Sequence, residues 1–245
     1  MAERPHVPVS RRERPAKPPL ARGAIVDAAL RVMRSEGLER ATMRRVAQEL
    51  DTGAASLYVY VQSTADLHAW VLDEMLASVD LSPVDAPGEW CERLVRVLMS
   101  YAEVLFEYPT LARSAMVMRP SGPRCLALVE VLLGLLAEGG VPGGRAAWGV
   151  DLLLQFATAT AAEQGTRDQA SGAQAEQDAL TEALRTVDPQ VHPHIAGLAD
   201  ELVSGPELDR LAWGFDVLIN GIRRTPRPRR PRLTGPARDA AEGPL

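Results

Sequence analysis

Thr42–Leu67, TMRRVAQELDTGAASLYVYVQSTADL, is the stretch whose pattern decides the fold of this chain. Thr42 is a favourable N-cap residue, and the apolar residues after it recur at the spacing that buries one face of a helix. These apolar residues are Met43, Val46, Ala47 and Leu50. Asp51–Gly53 then interrupts the spacing with residues that favour turns. The pattern predicts a helix followed by a tight turn.

A second, shorter helix is predicted after this turn. Leu57 and Val61 would face inward, while the outward positions would be Ala54, Ala55, Ser56, Tyr58 and Tyr60. Ser63 and Asp66 have the spacing of a capping box, which predicts that a longer third helix begins at Leu67. A short helix held at a fixed angle by the helix before it is the arrangement that fits the major groove of DNA.

These residues resemble the DNA-binding head of the tetracycline-repressor (TetR) family. The resemblance rests on AQEL before the turn, SLYVYV after it, and the polar link to Asp66 and Leu67, and it covers residues 20–76. An apolar stripe in residues 25–32, stopped by Gly37, fits the helix that precedes this motif. WGFDVLINGI at Trp213–Ile222 is similar to the last helix of the family's ligand domain. The middle of the chain matches in length and helical character alone.

The resemblance implies an all-α fold, with an N-terminal three-helix helix-turn-helix DNA-binding domain and a larger C-terminal helical ligand-binding and dimerisation domain. Composition agrees, since Ala and Leu are abundant and aromatic residues make up only 4% of the chain. We expect a disordered basic arm over residues 1–19, the DNA-binding domain over 20–65, the ligand-binding and dimerisation domain over 66–222, and a disordered Arg/Pro-rich tail over 223–245.

Turn residues divide the larger domain into predicted helices. These span residues 66–78, 89–107, 109–118, 123–138, 145–166, 195–203 and 206–222. Between residues 166 and 187 the sequence is polar and rich in Gln and Ala, which predicts a loop or a weak helix.

Charge is distributed unevenly along a chain whose net charge is −5. Residues 1–24 hold six basic and two acidic side chains, and residues 221–245 hold seven arginines and two acids, so the body between them is acidic. Basic ends on an acidic body are expected where only parts of a protein touch DNA. The tail could instead serve as a solubilising terminus.

Several features indicate a soluble, cytoplasmic protein. Cys91 and Cys125 have no metal-like spacing and fit a reducing compartment better than a disulfide framework. The N-terminus is polar and does not look like a signal peptide. The most apolar stretch, Leu126–Leu136, contains Glu130 and falls short of the roughly 20 residues needed to span a membrane.

The candidate DNA contacts follow from the resemblance and from their side-chain chemistry. Arg44 matches a family position that reaches a guanine edge, and small residues in the second helix would let the backbone approach the bases. Hydroxyl groups and basic side chains would bind phosphates, including the arm residues Arg14 and Lys17. The complete set of candidates is Arg22, Thr42, Arg44, Arg45, Ala54, Ala55, Ser56, Tyr58, Tyr60 and Thr64.

The chain departs from the family pattern at three places. Asp51 stands where Gly is common, but Asp tolerates left-handed geometry. Thr64 replaces a Lys that pairs with phosphate, and Val59–Tyr60 replaces a more polar pair. Thr64 and the uncharged second helix leave open the alternative of a ligand-binding or adaptor protein with weak or lost operator recognition. Independently, similar hairpins occur in helical proteins with no DNA role, in which Tyr58 and Tyr60 would be half-buried and the two arginines merely solvated.

A homodimer on a pseudo-palindromic DNA operator is also implied by the resemblance. In the family, the last helix packs with a preceding long helix against their copies in a second subunit. Here the last helix has a continuous apolar stripe from Leu208 to Ile222, and the long helix contains the small residues Ala157–Ala162. An ordinary core within one chain could explain either helix alone.

The body would bind a small hydrophobic effector of unknown identity. Aromatic and Met residues at helical spacing are usually plain core, and on that condition the candidate lining residues are Trp90, Met99, Tyr101, Phe106, Met116, Met118, Trp148 and Phe156. The four histidines lie at positions 6, 68, 192 and 194, and we expect no metal-dependent recognition and no cofactor. A helical enzyme is a rival hypothesis, but no nucleophile motif, metal-protease motif or phosphate loop is found. The sequence therefore predicts a ligand-responsive transcriptional regulator, with repression the usual mode in this family.

Overall fold

The computed structural model describes residues 20–118 and 120–228, and within these ranges the chain is helical with no strand. The helices are α1 (Arg22–Glu36), α2 (Met43–Glu49), α3 (Ala54–Leu57), α4 (Thr64–Met75), α5 (Trp90–Glu107), α6 (Pro109–Ala115), α7 (Pro123–Glu138), α8 (Gly143–Gln169), α9 (Ala173–Arg185), α10 (Pro193–Leu202) and α11 (Glu207–Arg224). Short 3-10 turns lie at Leu38–Arg40, Leu76–Ser78 and Ser82–Asp85. The all-α prediction is confirmed. The predicted arm over residues 1–19, with Arg14 and Lys17, and the end of the tail at 229–245 lie outside the described residues.

The head is built from α1 to α4. Its core contains Ile25, Val46, Leu57 and Leu67, each with no exposed surface, and α1 packs against both α2 and α4. Burial of four such side chains from four helices fixes the angle between α2 and α3, which is the predicted helix-turn-helix.

The body is a bundle in which α8 packs against α5, α6, α7 and α11. Phe215 of α11 is fully buried, and its ring meets the ring of Phe156 of α8 edge to face, with 5.5 Å between the centroids. Within the described residues, no helix is both long enough and apolar enough to cross a membrane.

Several helix bounds differ from the prediction, including the end of α6 at Ala115 rather than 118 and the span of α8, Gly143–Gln169 rather than 145–166. Helix α4 begins at Thr64, so the predicted start at Leu67 is wrong by three residues, although Ser63 caps the helix by accepting a hydrogen bond from the Asp66 N–H at 3.1 Å. Helix α9 forms where a loop or weak helix was expected. It has no buried residue and is held by packing on α10 and by an Arg185–Asp200 ion pair of 2.8 Å.

Candidate nucleic-acid interface and effector cavity

The turn between α2 and α3 is fixed by backbone hydrogen bonds and one left-handed residue. Asp51 has φ +49°, and the Thr52 N–H donates to the Ala47 carbonyl at 2.9 Å. The expectation that Asp would adopt left-handed geometry at this position is confirmed. Thr42 caps α2, its hydroxyl accepting a hydrogen bond from the Arg45 N–H at 3.3 Å, as the sequence predicted.

Helix α3 is a single turn, and together with the residues that directly follow it buries Leu57 and Val61 while exposing small and aromatic side chains. Leu57 is fully buried and Val61 is 1% exposed. Ala55 and Ser56 are exposed and Ala54 is half-buried. Tyr58 is 56% exposed and Tyr60 is 41% exposed, so both phenol groups lie at the surface rather than in the core.

Arg44 and Arg45 have different surroundings although they are adjacent. Arg44 is exposed on α2. The guanidinium of Arg45 lies 2.6 Å from a carboxylate oxygen of Glu36 and 3.1 Å from one of Glu49. The hydrogen bond to Glu36 is the main cause of the raised pKa of Arg45. The pKa of Glu49 is lowered, first by its hydrogen bond with Arg31 and then by Arg45. The charge of Arg45 is therefore already paired inside the head.

Arg22 and Thr64 lie at the junction of α1 with α4. The Arg22 guanidinium stacks over the ring of Trp70 at 4.2 Å from its centroid, and Thr64 is half-buried in the first turn of α4. Arg22 and Tyr60 both border a polar cleft of about 470 Å³ beside the start of α7. The stacking of Arg22 on Trp70 holds the first residue of α1 on the surface of α4.

The body contains a cavity of about 430 Å³ among α4, α5, α6, α7 and α8. Its lining residues are Leu72, Leu76, Tyr101, Ala115, Met116, Met118, Pro120, Cys125, Leu128, Asp151, Leu154, Gln155, Thr158 and Ala159. Of the candidates from sequence, Tyr101, Met116 and Met118 line this cavity. A mostly apolar cavity of this size, with a few polar groups, is typical of a small-molecule site.

The remaining candidates lie elsewhere in the body. Phe106 and Phe156 border a separate cleft of about 760 Å³ lined by residues of α5, α8, α9, α10 and α11. Trp148 is 52% exposed, with the Arg227 guanidinium 4.1 Å from its ring centroid. Trp90 packs against Gly139, and Met99 is half-buried against the core.

Sequence reasoning identified Tyr101 as a lining candidate but missed its hydrogen-bond partner Thr158. The Tyr101 hydroxyl lies 2.8 Å from the Thr158 hydroxyl, which in turn donates to the Leu154 carbonyl at 2.7 Å. Burial raises the pKa of Tyr101, and burial together with the nearby Asp73 carboxylate raises the pKa of Cys125. The run of small residues that contains Thr158 indicated close helix packing, and no distinct pattern in the sequence marked the hydroxyl of Thr158 as facing the cavity.

Helix α4 joins the head to the cavity through polar contacts. Asp73 is 4% exposed, and its carboxylate accepts a hydrogen bond from the Cys125 N–H at 2.9 Å, at the start of α7. Glu74 pairs with Arg124 at 2.9 Å. Nearer the head, the half-buried His68 donates a hydrogen bond from Nε2 to the Ala41 carbonyl at 3.1 Å.

In the part of the chain that the structure describes, no group of three or more His, Cys, Asp or Glu side chains is arranged to hold a metal ion.

Two family models match the chain. Residues 25–69 match the model for bacterial regulatory proteins of the tetR family, and residues 82–225 match the model for the tetracyclin repressor-like C-terminal domain. The second match alone covers more than half of the chain, and the two together cover both the head and the body.

Solved structures from Streptomyces coelicolor are similar over most of their length. The transcription regulator SCO7704 is 56% identical, covering 86% of this chain and 98% of that one, with a TM-score of 0.72. ActR, solved in complex with actinorhodin, is 35% identical, covering 83% of this chain and 95% of that one, with a TM-score of 0.74.

Curated relatives are also regulators by name. The HTH-type transcriptional repressor DrrR1 of Streptomyces coeruleorubidus is 26% identical over 86% of this chain and 80% of its own length. An HTH-type transcriptional regulator of Saccharopolyspora erythraea is 32% identical over 53% of this chain, and the match spans about half, 54%, of that relative.

Proposed function

Because this chain belongs to the TetR family of bacterial regulatory proteins, we propose that it is a dimeric transcriptional repressor that a small-molecule effector releases from its operator. The observation that carries the proposal is the position of α4. This helix packs on α1 in the head, and its residue Leu72 lines the cavity of the body, as does Leu76 in the 3-10 turn that directly follows it. An effector that fills the cavity therefore touches the helix that sets the position of the head.

On the DNA side, α3 would enter the major groove. Ala55 and Ser56 are small and exposed, which lets the backbone come close to the base edges. Tyr58 and Tyr60 would donate hydrogen bonds to phosphates, and Arg44 would reach a guanine or a phosphate. Arg22 and Thr64 would contact the backbone at the edge of this surface, with Thr42 beside Arg44.

On the effector side, release follows from differential affinity. If the effector binds more tightly to the arrangement of α4 in which the two heads do not match the operator, its binding shifts the population toward that state. The Asp73 contact with α7 and the Glu74–Arg124 pair would transmit the change, because they link α4 to another wall of the cavity. ActR binds actinorhodin, and we extend to this chain the capacity to bind a small organic effector.

The dimer would form through α8 and α11. Leu152 of α8 and Trp213 and Val217 of α11 are 43%, 69% and 48% exposed, an unusual exposure for such large apolar side chains. A two-fold dimer presents two heads to the two half-sites of a pseudo-palindrome. In this proposal the protein acts by binding alone, without catalysis, metal or resident cofactor, and in the cytoplasm, where its operator lies.

The test is a mobility shift of DNA from upstream of the chain's own gene. We expect salt-sensitive binding to a discrete site, abolished in the double variant Arg44→Ala, Tyr58→Ala. Arg96→Ala is the matched control, since Arg96 is an exposed arginine of α5 outside the head. If the wild-type protein bound no fragment of its own genome, the repressor assignment would be rejected.

The two adjacent arginines provide a finer test of the head. Arg44→Ala should weaken operator binding and reduce the slope of log affinity against log salt by about one. Arg45→Ala should change the salt slope less, because Glu36 and Glu49 already pair its charge. Equal changes of slope in the two variants would show that both arginines contact DNA directly.

A further inference from the structure

The direction of one buried hydrogen bond in the cavity can be assigned from the positions of the heavy atoms. The Thr158 oxygen lies 2.7 Å from the Leu154 carbonyl oxygen and 2.8 Å from the Tyr101 hydroxyl oxygen. A threonine hydroxyl has one proton. If that proton pointed to Tyr101, two oxygens would face each other at 2.7 Å with no proton between them. Thr158 therefore donates to Leu154, and Tyr101 donates to Thr158.

This assignment leaves the Tyr101 oxygen as a hydrogen-bond acceptor. Tyr101 is only 7% exposed and lines the cavity, so its remaining lone pairs have no access to bulk water when a ligand fills the space. An effector without a donor would leave this acceptor buried and unpaired, which is unfavourable.

A second pair of hydrogen-bonded side chains at the cavity also leaves an oxygen acceptor available to a ligand. The Gln155 side-chain nitrogen donates to the Asp151 carboxylate at 3.2 Å, which orients the amide and leaves the Gln155 carbonyl oxygen as an acceptor. The opposite orientation of the amide would set its oxygen against the carboxylate. Asp151 and Gln155 are exposed, so they stand at the opening, whereas Tyr101 is inside. Both polar pairs therefore offer oxygen acceptors to a ligand.

We propose that the effector is an apolar molecule carrying a hydroxyl group that donates a hydrogen bond to the Tyr101 oxygen. This inference rests on the proposed function, since it concerns the effector of the same cavity. The other lining side chains are mainly apolar, including Leu72, Met116, Met118 and Leu128, and thioethers make favourable contacts with aromatic rings. A neutral phenol on a two- or three-ring skeleton has the size and the donor that the cavity requires.

Matched pairs of ligands test the proposal on the full chain. The probes are β-naphthol and para-phenylphenol, each compared with its own methyl ether, which keeps the skeleton and loses the donor. By isothermal titration calorimetry, each phenol should bind the wild-type protein roughly five- to tenfold more tightly than its ether.

Two cavity variants make opposite changes to the hydrogen-bonding pattern. Tyr101→Phe removes the acceptor, so a phenol and its ether should bind equally. Thr158→Val removes the acceptor that holds the Tyr101 proton, so Tyr101 becomes free to donate to an ether oxygen and the preference should fall or reverse. Tyr108→Phe is the matched control, because the Tyr108 hydroxyl donates to Glu107 at 2.7 Å and is not part of the cavity lining. Circular dichroism would verify that each variant is folded.

Equal binding of phenol and ether to the wild-type protein would overturn the proposal, as would an undiminished preference in Tyr101→Phe or the failure of every probe to bind. These outcomes are separate from the proposed function. A compound without a donor that released the operator through this cavity would refute the hydroxyl requirement and leave the repressor assignment standing. Conversely, a chain that binds no DNA but prefers phenols would refute the repressor alone.

Discussion

At His68, partial burial determines how the head responds to acid. Burial lowers the pKa of this imidazole below its ordinary value of 6.5, while the hydrogen bond to Ala41 acts in the opposite direction and more weakly. The unfolded chain therefore takes up a proton at a higher pH than the folded chain does. The free energy of unfolding should consequently fall as pH drops below about 6.5.

Urea denaturation of the wild type and of His68→Gln measures this dependence. Glutamine can keep a donor near the Ala41 carbonyl but does not titrate, so the variant should lose less stability than the wild type between neutral pH and about pH 5. At about pH 8 the histidine is neutral in both folded and unfolded chains and provides the reference point. Identical pH profiles for the two proteins would mean that His68 does not contribute.

At the scale of elements, helix boundaries were predictable where the sequence carries local signals. Helix α7 begins at Pro123 and ends at Glu138, as predicted, because Pro fits the first turn and Gly139 follows the end. Helix α9 could be predicted only as a loop or weak helix, since no buried stripe marks it and most of its contacts come from α10, a later element.

The candidate site was predictable to a smaller extent, for a physical reason. The head motif is local in sequence, and its turn, caps and outward residues were anticipated, apart from the start of α4 and Ala54, which is half-buried against the core. A cavity is formed by side chains from five helices, and periodicity reports only which face of a helix is apolar. It therefore identified Tyr101 and Met116 together with Trp148, although Trp148 lies on the outside. Thr158 was missed because a hydroxyl on an apolar face has no distinct pattern.

The contact between α4 and α7 leads to a prediction at two glycines of the same region. A Cβ on Gly122 would lie 2.0 Å from the Asp73 carboxylate carbon, so Gly122→Ala should displace Asp73 from the Cys125 N–H. The expected cost is about 1–3 kcal/mol in the free energy of unfolding. Gly134→Ala is the matched control within α7, where a Cβ meets nothing within 4 Å and should stabilise the helix by roughly 0.5–1 kcal/mol.

Denaturant unfolding of both variants measures the two effects. Opposite signs are expected, with Gly122→Ala less stable than the wild type and Gly134→Ala more stable. If Gly122→Ala were as stable as Gly134→Ala, the start of α7 would not depend on Asp73. The proposed link between α4 and that wall of the cavity would then fail.

At the scale of the whole molecule, sequence-specific binding to an operator requires two copies of the chain. One α3 offers a single turn of helix without a charged side chain, so one head gives little sequence readout. Two heads joined rigidly gain affinity because binding of the first brings the second to its half-site. The exposed apolar residues of α8 and α11 are suited to make that connection, whereas the cavity around Tyr101 is lined from within one chain.

The double variant Trp213→Arg, Val217→Arg separates dimerisation from effector binding. Two buried, unpaired charges at the interface would be costly, so the protein should be monomeric by analytical ultracentrifugation and should bind the operator roughly a hundredfold more weakly or worse. Val191→Arg is the control, because Val191 is 65% exposed in the connection between α9 and α10. The monomer should still bind a phenol probe, since a single chain supplies the lining residues that the structure describes for this cavity. A variant that remained dimeric with full operator affinity would place the interface on another face of the body.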